Sequence, residues 1–162
     1  MMSDSIIDPA TFRSVLGRFA SGVTVVTIRD DQGADHGMTV SAFCSLSLAP
    51  PLVLICVEKG ASMYDALAHS TRFVVNVLES AQEQLARRFA EEHPDRFDGI
   101  GFTRGLTGAA IIDDSLATIE CEVQSRHEGG DHTIVLGSVI SAATREGRPL
   151  LYYRGGYAML ER

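Results

Sequence analysis

The sequence has no basic excess: 14 Lys and Arg stand against 21 Asp and Glu, for a formal net charge of -7. Nucleic acids and anionic membrane surfaces are therefore excluded as partners, since either needs a basic face to offset phosphate repulsion. The arginines that exist must have local duties. Cysteine is scarce as well. Cys44, Cys56 and Cys121 are odd in number, widely spaced and set in apolar strand-like runs, which argues against a disulfide framework and for reduced core thiols. No apolar stretch approaches the length of a membrane span, and Met1-Met2-Ser3-Asp4-Ser5 lacks the basic-then-apolar plan of a secretion signal. The expected location is the cytoplasm. G-x-G-x-x-G, a phosphate-loop signature, a G-x-S-x-G elbow and a paired-carboxylate pattern are all missing, so Rossmann, P-loop and hydrolase readings have no foothold. His127 and His132 stand five apart, which matches no common zinc motif, and no metal site is expected.

What is present reads as one ordinary globular domain over residues 1-162, with 45% hydrophobic and 22% charged residues. Asp8 and Pro9 open an amphipathic helix carrying Phe12, Val15, Leu16 and Phe19, and Gly22 stops it. A β-branched strand, Val23 to Ile28, is followed by a polar turn and by the segment Gly37 to Ser47. Leu52 to Val57 is apolar without alternation, the pattern of a strand buried on both sides. A brief helix is expected from Ser62 to His69 and a strand from Phe73 to Leu78. Ser80 with Glu83 forms a capping-box signature for a helix through Leu85, Ala86 and Phe89. Glu91 to Ala110 reads as a long loop. Three strands then follow, Ala117 to Arg126, Thr133 to Thr144 and Leu150 to Leu160, joined by turns at Gly129-Gly130 and Gly147. The chain is mainly β with three inserted helices and no strand-helix alternation, so an antiparallel barrel with helices covering its ends is the expected architecture.

Within that order, Thr39, Ser41, Ser45 and Ser47 recur at intervals of two or four, so in an extended segment they share one face. Short hydroxyls beside lightly covered backbone suit a flat polycyclic ligand with a polar edge and a phosphate tail. The competing reading is the solvated side of a half-buried strand.

Several pieces in fixed order resemble the short-chain flavin reductases that serve two-component flavin-dependent monooxygenases. They are Phe12-Arg13 with Leu16 to Thr27, Gly37 to Phe43 with Ser45, Ser47 and Pro50-Pro51, Phe73 to Leu78, Ala86-Arg87-Arg88-Phe89, Gly130-Asp131-His132-Thr133 and Tyr153-Arg154-Gly155-Gly156-Tyr157. The resemblance implies a split β-barrel of the Greek-key, FMN-binding type and a homodimer with flavin near the subunit interface. It also implies reduction of FMN or FAD by NADH or NADPH, and delivery of reduced flavin to a separate oxygenase.

Carried over residue by residue, the resemblance places Thr39, Val40, Ser41 and Ala42 along the flavin. Ser45 and Leu46 fall beside its ribityl chain or phosphate. Cys56, Val57, Glu58 and Lys59 border the ring system, and Ser62 supplies a hydroxyl at a helix start. Arg87 and Arg88 precede Phe89 and point in different directions, so at most one faces a given phosphate. Their competing role is a solvated pair balancing Glu91 and Glu92. His132 is the expected catalytic side chain at the nicotinamide site, against a plain role in completing a hairpin with Asp131. Tyr157 is expected near the flavin or pyridine nucleotide, although aromatics on a last strand also serve as core or dimer contacts. Cys44 and Glu58 depart from the residues common in the family at those positions. The alternative function is a flavin carrier or electron-transfer protein without nicotinamide turnover.

Overall fold

Asp8 caps the first helix as its sequence position demands: the carboxylate accepts from the Thr11 N–H at 3.0 Å and the Thr11 hydroxyl at 2.6 Å, and Pro9 occupies the first turn. In this computed structural model, which describes residues 6–161, the elements run α1 (Pro9–Leu16), β1 (Ser21–Gly22), β2 (Thr24–Arg29), β3 (Asp35–Val40), β4 (Phe43–Ser47), β5 (Leu52–Glu58), α2 (Tyr64–His69), β6 (Arg72–Val77), α3 (Glu83–Ala90), β7 (Phe102–Arg104), β8 (Ala110–Ile112), β9 (Ala117–Gly129), β10 (His132–Thr144), β11 (Leu150–Tyr153) and β12 (Gly156–Met159). The segment Met1 to Ser5, read above for a leader, lies outside the described residues.

Seven strands form one antiparallel sheet in the order β3-β2-β6-β9-β10-β5-β4. Its two edges, β3 and β4, are neighbours in the chain, joined only by Ser41 and Ala42. A flat seven-stranded sheet would hold its edges about 29 Å apart, whereas a link of two residues reaches about 11 Å. The sheet must therefore curl until its edges meet, and the mainly β barrel expected from the sequence is what results. The Cys56 N–H donates to the Ala42 carbonyl at 2.9 Å, which extends the β4–β5 ladder into the link between the two edges.

Two apolar cores follow from this closure. The inner one gathers Val26, Ile28, Val40, Val53, Ile55, Val57, Phe73, Val75, Cys121 and Val135, plugged at one end by Met63 and by Leu67 of α2. The outer one lies between the barrel and α3, where Val23, Val25 and Leu78 pack on Ala86, Phe89, Ile112 and Leu150. Asn76, fully buried, sews these layers together. Its amide donates to the Val25 carbonyl at 3.0 Å and its oxygen accepts from the Ile112 N–H at 2.9 Å.

Several expectations are corrected. The strand buried on both faces is β2, not β5: Thr24 to Ile28 are all buried, while β5 alternates, with Val53, Ile55 and Val57 inside and Leu54 and Cys56 half-exposed. The reason is cover, since β2 lies under the outer core and β5 does not. The hydroxyl run is two strands on opposite sheet edges with a break at Ser41-Ala42 and a bulge near Ser45, so its hydroxyls do not share one face. Helix α1 ends at Leu16 because Ser21–Gly22 pairs with β11. The capping box uses Glu79 and Gln82, opening a 3₁₀ turn over Ser80–Gln82 that leads into α3. The loop from Glu91 to Ala110 contains β7, which pairs with β8. The last expected strand is the β11–β12 hairpin, turned at Arg154 and Gly155, both with positive φ. Among the cysteines only Cys121 is a fully buried thiol, pushed up to about 12 by burial; Cys44 is exposed on the edge strand β4.

Candidate functional site

The end of β3 and the helix α3 are tied together by the Thr39 hydroxyl, which donates to the Ala86 carbonyl at 2.6 Å. Beside that tie opens a cleft of about 430 Å³, lined by Val23, Met38, Thr39 and Ser41, by Glu58, Gly60, Ala61 and Ser62 after β5, by Phe89, Ala90, Glu92 and Arg96, and by Tyr152 and Tyr157. Its size suits a small-molecule site with apolar walls and a few polar groups. A second, more open cavity of about 710 Å³ shares Ser62, Glu92 and Arg96 with it.

Each wall has a local cause. In α3 the turn spacing sends Ala86 and Phe89 into the outer core and Arg87 to the surface. Arg87 is held by Glu83 one turn earlier, at 2.7 and 3.0 Å, and its guanidinium lies 4.8 Å from the centre of the Tyr157 ring. Tyr157 meets Tyr152 edge to face at 5.6 Å, as cross-strand partners on β11 and β12. Burial pushes the Tyr157 phenol up, with Arg87 opposing. Arg88 turns the other way and donates to the Asp95 carbonyl at 2.6 Å. The guanidinium that reaches the cleft is Arg96, bonded to the Gly37 carbonyl at 2.8 Å and to the Glu91 carbonyl.

At the rim, His132 is the cross-strand partner of Glu58, which lines the cleft. The His132 imidazole lies 2.7 Å from Asp131, whose carboxyl it holds below the usual range. The Lys59 N–H donates to the Asp131 carbonyl at 2.9 Å, and the Lys59 ammonium pairs with Glu128 at 2.5 Å, which raises it. The N–H groups of Ser41, Gly60 and Ser62 have no acceptor among the described residues. The cleft thus offers main-chain donors, hydroxyls, one guanidinium, two carboxylates and a tyrosine wall.

Residues 16–161 match the family described as flavin reductase like domain. The chain belongs to that family. Similar proteins include the flavin-dependent monooxygenase reductase subunit HsaB of Rhodococcus jostii, 46% identical over 156 residues, covering 96% of this chain and 80% of that protein. Among solved structures, nitrilotriacetate monooxygenase component B from Mycobacterium thermoresistibile superposes with a TM-score of 0.90 at 43% identity, covering 94% of this chain and 86% of that one. The NADH:FAD oxidoreductase of Streptomyces globisporus, solved with NAD and FAD fragments, has a TM-score of 0.90 at 41% identity, with 97% of each chain covered.

In this flavin reductase-like chain, the expected residues divide by where the fold places them. Thr39, Ser41, Glu58, Ser62, Phe89 and Tyr157 come together around the cleft. Val40 and Val57 turn their side chains into the inner core, so they can meet a ligand only through main chain, and Ala42 sits in the link between the two sheet edges. Ser45 and Leu46 on β4, and Cys56 on the outward face of β5, are not among the cleft-lining residues of one chain. Lys59 and His132 stand at the rim, and Arg87 acts on Tyr157 from behind. Ser62 precedes α2, whose first turn begins at Tyr64. Sequence reasoning missed Met38, Arg96 and Glu92. Met38 carries no polar signal, and the other two belong to a segment taken as plain loop. Among the described residues no group of three or more His, Cys, Asp or Glu could hold a metal ion, and no helix is long and apolar enough to cross a membrane.

Proposed function

We propose that this chain is an NAD(P)H:flavin oxidoreductase that reduces FMN or FAD and releases the reduced flavin to a separate monooxygenase. The observation that carries the reading is the cleft itself: Ser41, Gly60 and Ser62, whose main-chain N–H groups have no acceptor among the described residues, line one cavity with Tyr152 and Tyr157. It occurs on a fold shared with an NADH:FAD oxidoreductase. Those residues fit a flavin. Phe89, Met38 and Tyr157 offer apolar contact to a flat ring, and the N–H groups offer donors to its carbonyl edge or phosphate.

Bound flavin would supply the hydride acceptor, taking hydride from the nicotinamide C4 carbon. The protein's part is orientation and charge. Tyr157, fixed by Arg87 and Tyr152, sets one face of the cleft and excludes water from it. The N–H donors of Gly60 and Ser62 stabilise negative charge that develops on the ligand without having to reorganise. His132, oriented by Asp131, stands at the rim as the side chain assigned to the nicotinamide, and Arg96 adds a positive charge. No nucleophile is required.

The same reading includes a homodimer. Helix α1 buries none of its residues, and Phe12, Val15, Leu16 and Phe19 are all exposed, Phe19 at 84%. With the half-exposed Leu54 and Cys56 on the outer face of β5, these offer apolar area that a second copy would cover. Ser45, Leu46 and Cys56 would then meet the ligand from the subunit interface. We take residues 1-162 as one functional unit working in the cytoplasm.

The test is nicotinamide oxidation by purified protein, followed by absorbance with NADH and NADPH, with and without added FMN or FAD. Flavin-dependent turnover that saturates supports the reductase; flavin binding without turnover moves the assignment to a carrier. His132→Ala should raise KM for NADH or lower kcat while flavin affinity holds within twofold. Equal loss of both overturns the role of His132.

A further inference from the structure

A separate concavity of about 340 Å³ lies at the tip of the β11–β12 hairpin, lined by Arg13, Ser14, Gly17, Arg18, Arg154 and Gly155. Three arginines converge there with no carboxylate among the lining residues. None of their guanidinium groups makes a hydrogen bond or ion pair among the described residues, while Arg72, Arg87, Arg96, Arg104 and Arg126 are all bonded to carbonyls or carboxylates. In a chain of net charge -7, three unpaired cations facing one hollow need a reason. The end of α1 supplies part of one, since Arg13 and Arg18 complement its negative pole.

Arg154 has no such reason. It occupies the first turn position of a two-residue hairpin at φ 51°, followed by Gly155 at φ 77°. Such a turn favours Asn, Asp or Gly, and a longer side chain there costs about 1 kcal/mol. The Arg154 N–H is clamped to the Gly17 carbonyl at 2.9 Å, which brings the hairpin tip against the end of α1. The backbone thus bears strain in order to bring a third guanidinium to the other two.

The hollow is linked to the cleft through the same hairpin. Tyr152 and Tyr157, which wall the cleft, form the rung next to the one closed by Tyr153 and Gly156, about 7 Å from the turn. That is the order of the span between the ring and the diphosphate of a dinucleotide. The larger cavity that adjoins the cleft is lined by four carboxylates, Asp35, Glu92, Asp95 and Asp98, with Arg96 as the one arginine among its lining residues, a balance that disfavours a diphosphate. Guanidinium groups, by contrast, bind phosphate oxygens in pairs.

Resting on the reductase reading, we propose that Arg13, Arg18 and Arg154 form a diphosphate site for a dinucleotide whose ring end lies in the cleft, and that they set a preference for dinucleotide over mononucleotide. The diphosphate is common to FAD and to the pyridine dinucleotide. Equilibrium titrations of wild type and the Arg18→Gln/Arg154→Gly double variant with FAD, FMN and NADH distinguish them. Glycine suits the positive φ at position 154, so the melting temperature should hold or rise and lost affinity will not reflect unfolding.

The expected result is that FAD or NADH affinity falls by about tenfold while FMN affinity stays within twofold. Loss for FAD alone assigns the site to the flavin, and loss for NADH alone assigns it to the nicotinamide partner. Unchanged affinities for all three, or an FMN loss equal to that for FAD, overturn the proposal. Absence of NADH turnover in wild type would instead overturn the reductase reading, and leaves these affinity ratios measurable.

Discussion

Replacing Gly37 with alanine tests how the barrel edge shapes the cleft. Gly37 is buried in β3, opposite Thr27 of β2, with ordinary strand backbone. A Cβ there would stand 2.7 and 2.9 Å from two carbons of the Phe89 ring and 3.2 Å from Phe97, against a contact distance of about 3.5–4.0 Å. Phe89 cannot swing aside freely, because it is 1% exposed and packs edge to face on Phe97 at 5.1 Å. Overpacking of this kind costs about 1–3 kcal/mol, offset by about 0.5–1 kcal/mol from removing a strand glycine. A contact of 2.7 Å to a buried ring puts the penalty in the upper half of that range, so the net loss should be about 1–2 kcal/mol, a fall in melting temperature of about 2–8 °C for a chain of this length. Since Phe89 also lines the cleft, its displacement should weaken flavin binding by about fivefold, equivalent to about 1 kcal/mol. Thermal melts and flavin titration measure both. In a Phe89→Leu background the penalty of Gly37→Ala should fall by more than half, because the clashing ring is gone. A melting temperature within about 1 °C of wild type, with flavin affinity unchanged, would refute this account of the cleft floor.

Other predictions follow from buried polar groups and from the exposed helix. Asn76→Ala leaves the Ile112 N–H without its partner and removes the amide bond to the Val25 carbonyl, and should cost about 2–4 kcal/mol by denaturant unfolding; a loss below about 1 kcal/mol would show that the two layers do not depend on it. Glu120 is 5% exposed. Burial pushes its carboxyl up, but the Thr107 N–H and hydroxyl, both at 2.9 Å, bring it below the ordinary 4.5. Its folded value is the depressed one, so its stabilisation is fully present above about pH 4.5 and is lost as pH falls through the folded value. Glu120→Gln should therefore be less stable than wild type at neutral pH and lose less stability on acidification; parallel pH profiles would sink the assignment. Light scattering after size exclusion should find wild type as a dimer and the Val15→Asp/Phe19→Ser variant as a monomer, and a monomeric wild type would remove the interface from the proposed site.

Local patterns carried much of the architecture. Asp8-Pro9 announced α1, the β-branched run to Ile28 announced β2, and the glycines at 129 and 130 placed the β9–β10 turn, where Gly130 has φ 74°. These signals act within a few residues, by capping, rotamer restriction or permitted φ, so they survive without knowledge of distant partners. Burial does not. Leu52 to Val57 is the more apolar run, since Val23 to Ile28 carries Thr24 and Thr27, yet the seating of α3 on β2 makes the second run the one covered on both faces. The break at Ser41-Ala42 was equally hidden, because it exists to let β3 and β4 take opposite edges of a sheet that closes on itself.

The candidate site divides along the same line. Hydroxyls at Thr39 and Ser41, Ser62 after β5 and Tyr157 near the end were legible as residue types in a familiar order. That Arg87 steadies Tyr157 while Arg96 enters the cleft depends on the angle between α3 and the β11–β12 hairpin, and no local preference encodes it. The sequence by itself determined the elements, the mainly β class and the polar groups available for binding. The tertiary structure alone decided which of those groups share one cleft, and which three arginines share one hollow, because barrel closure joins segments that chain spacing keeps far apart.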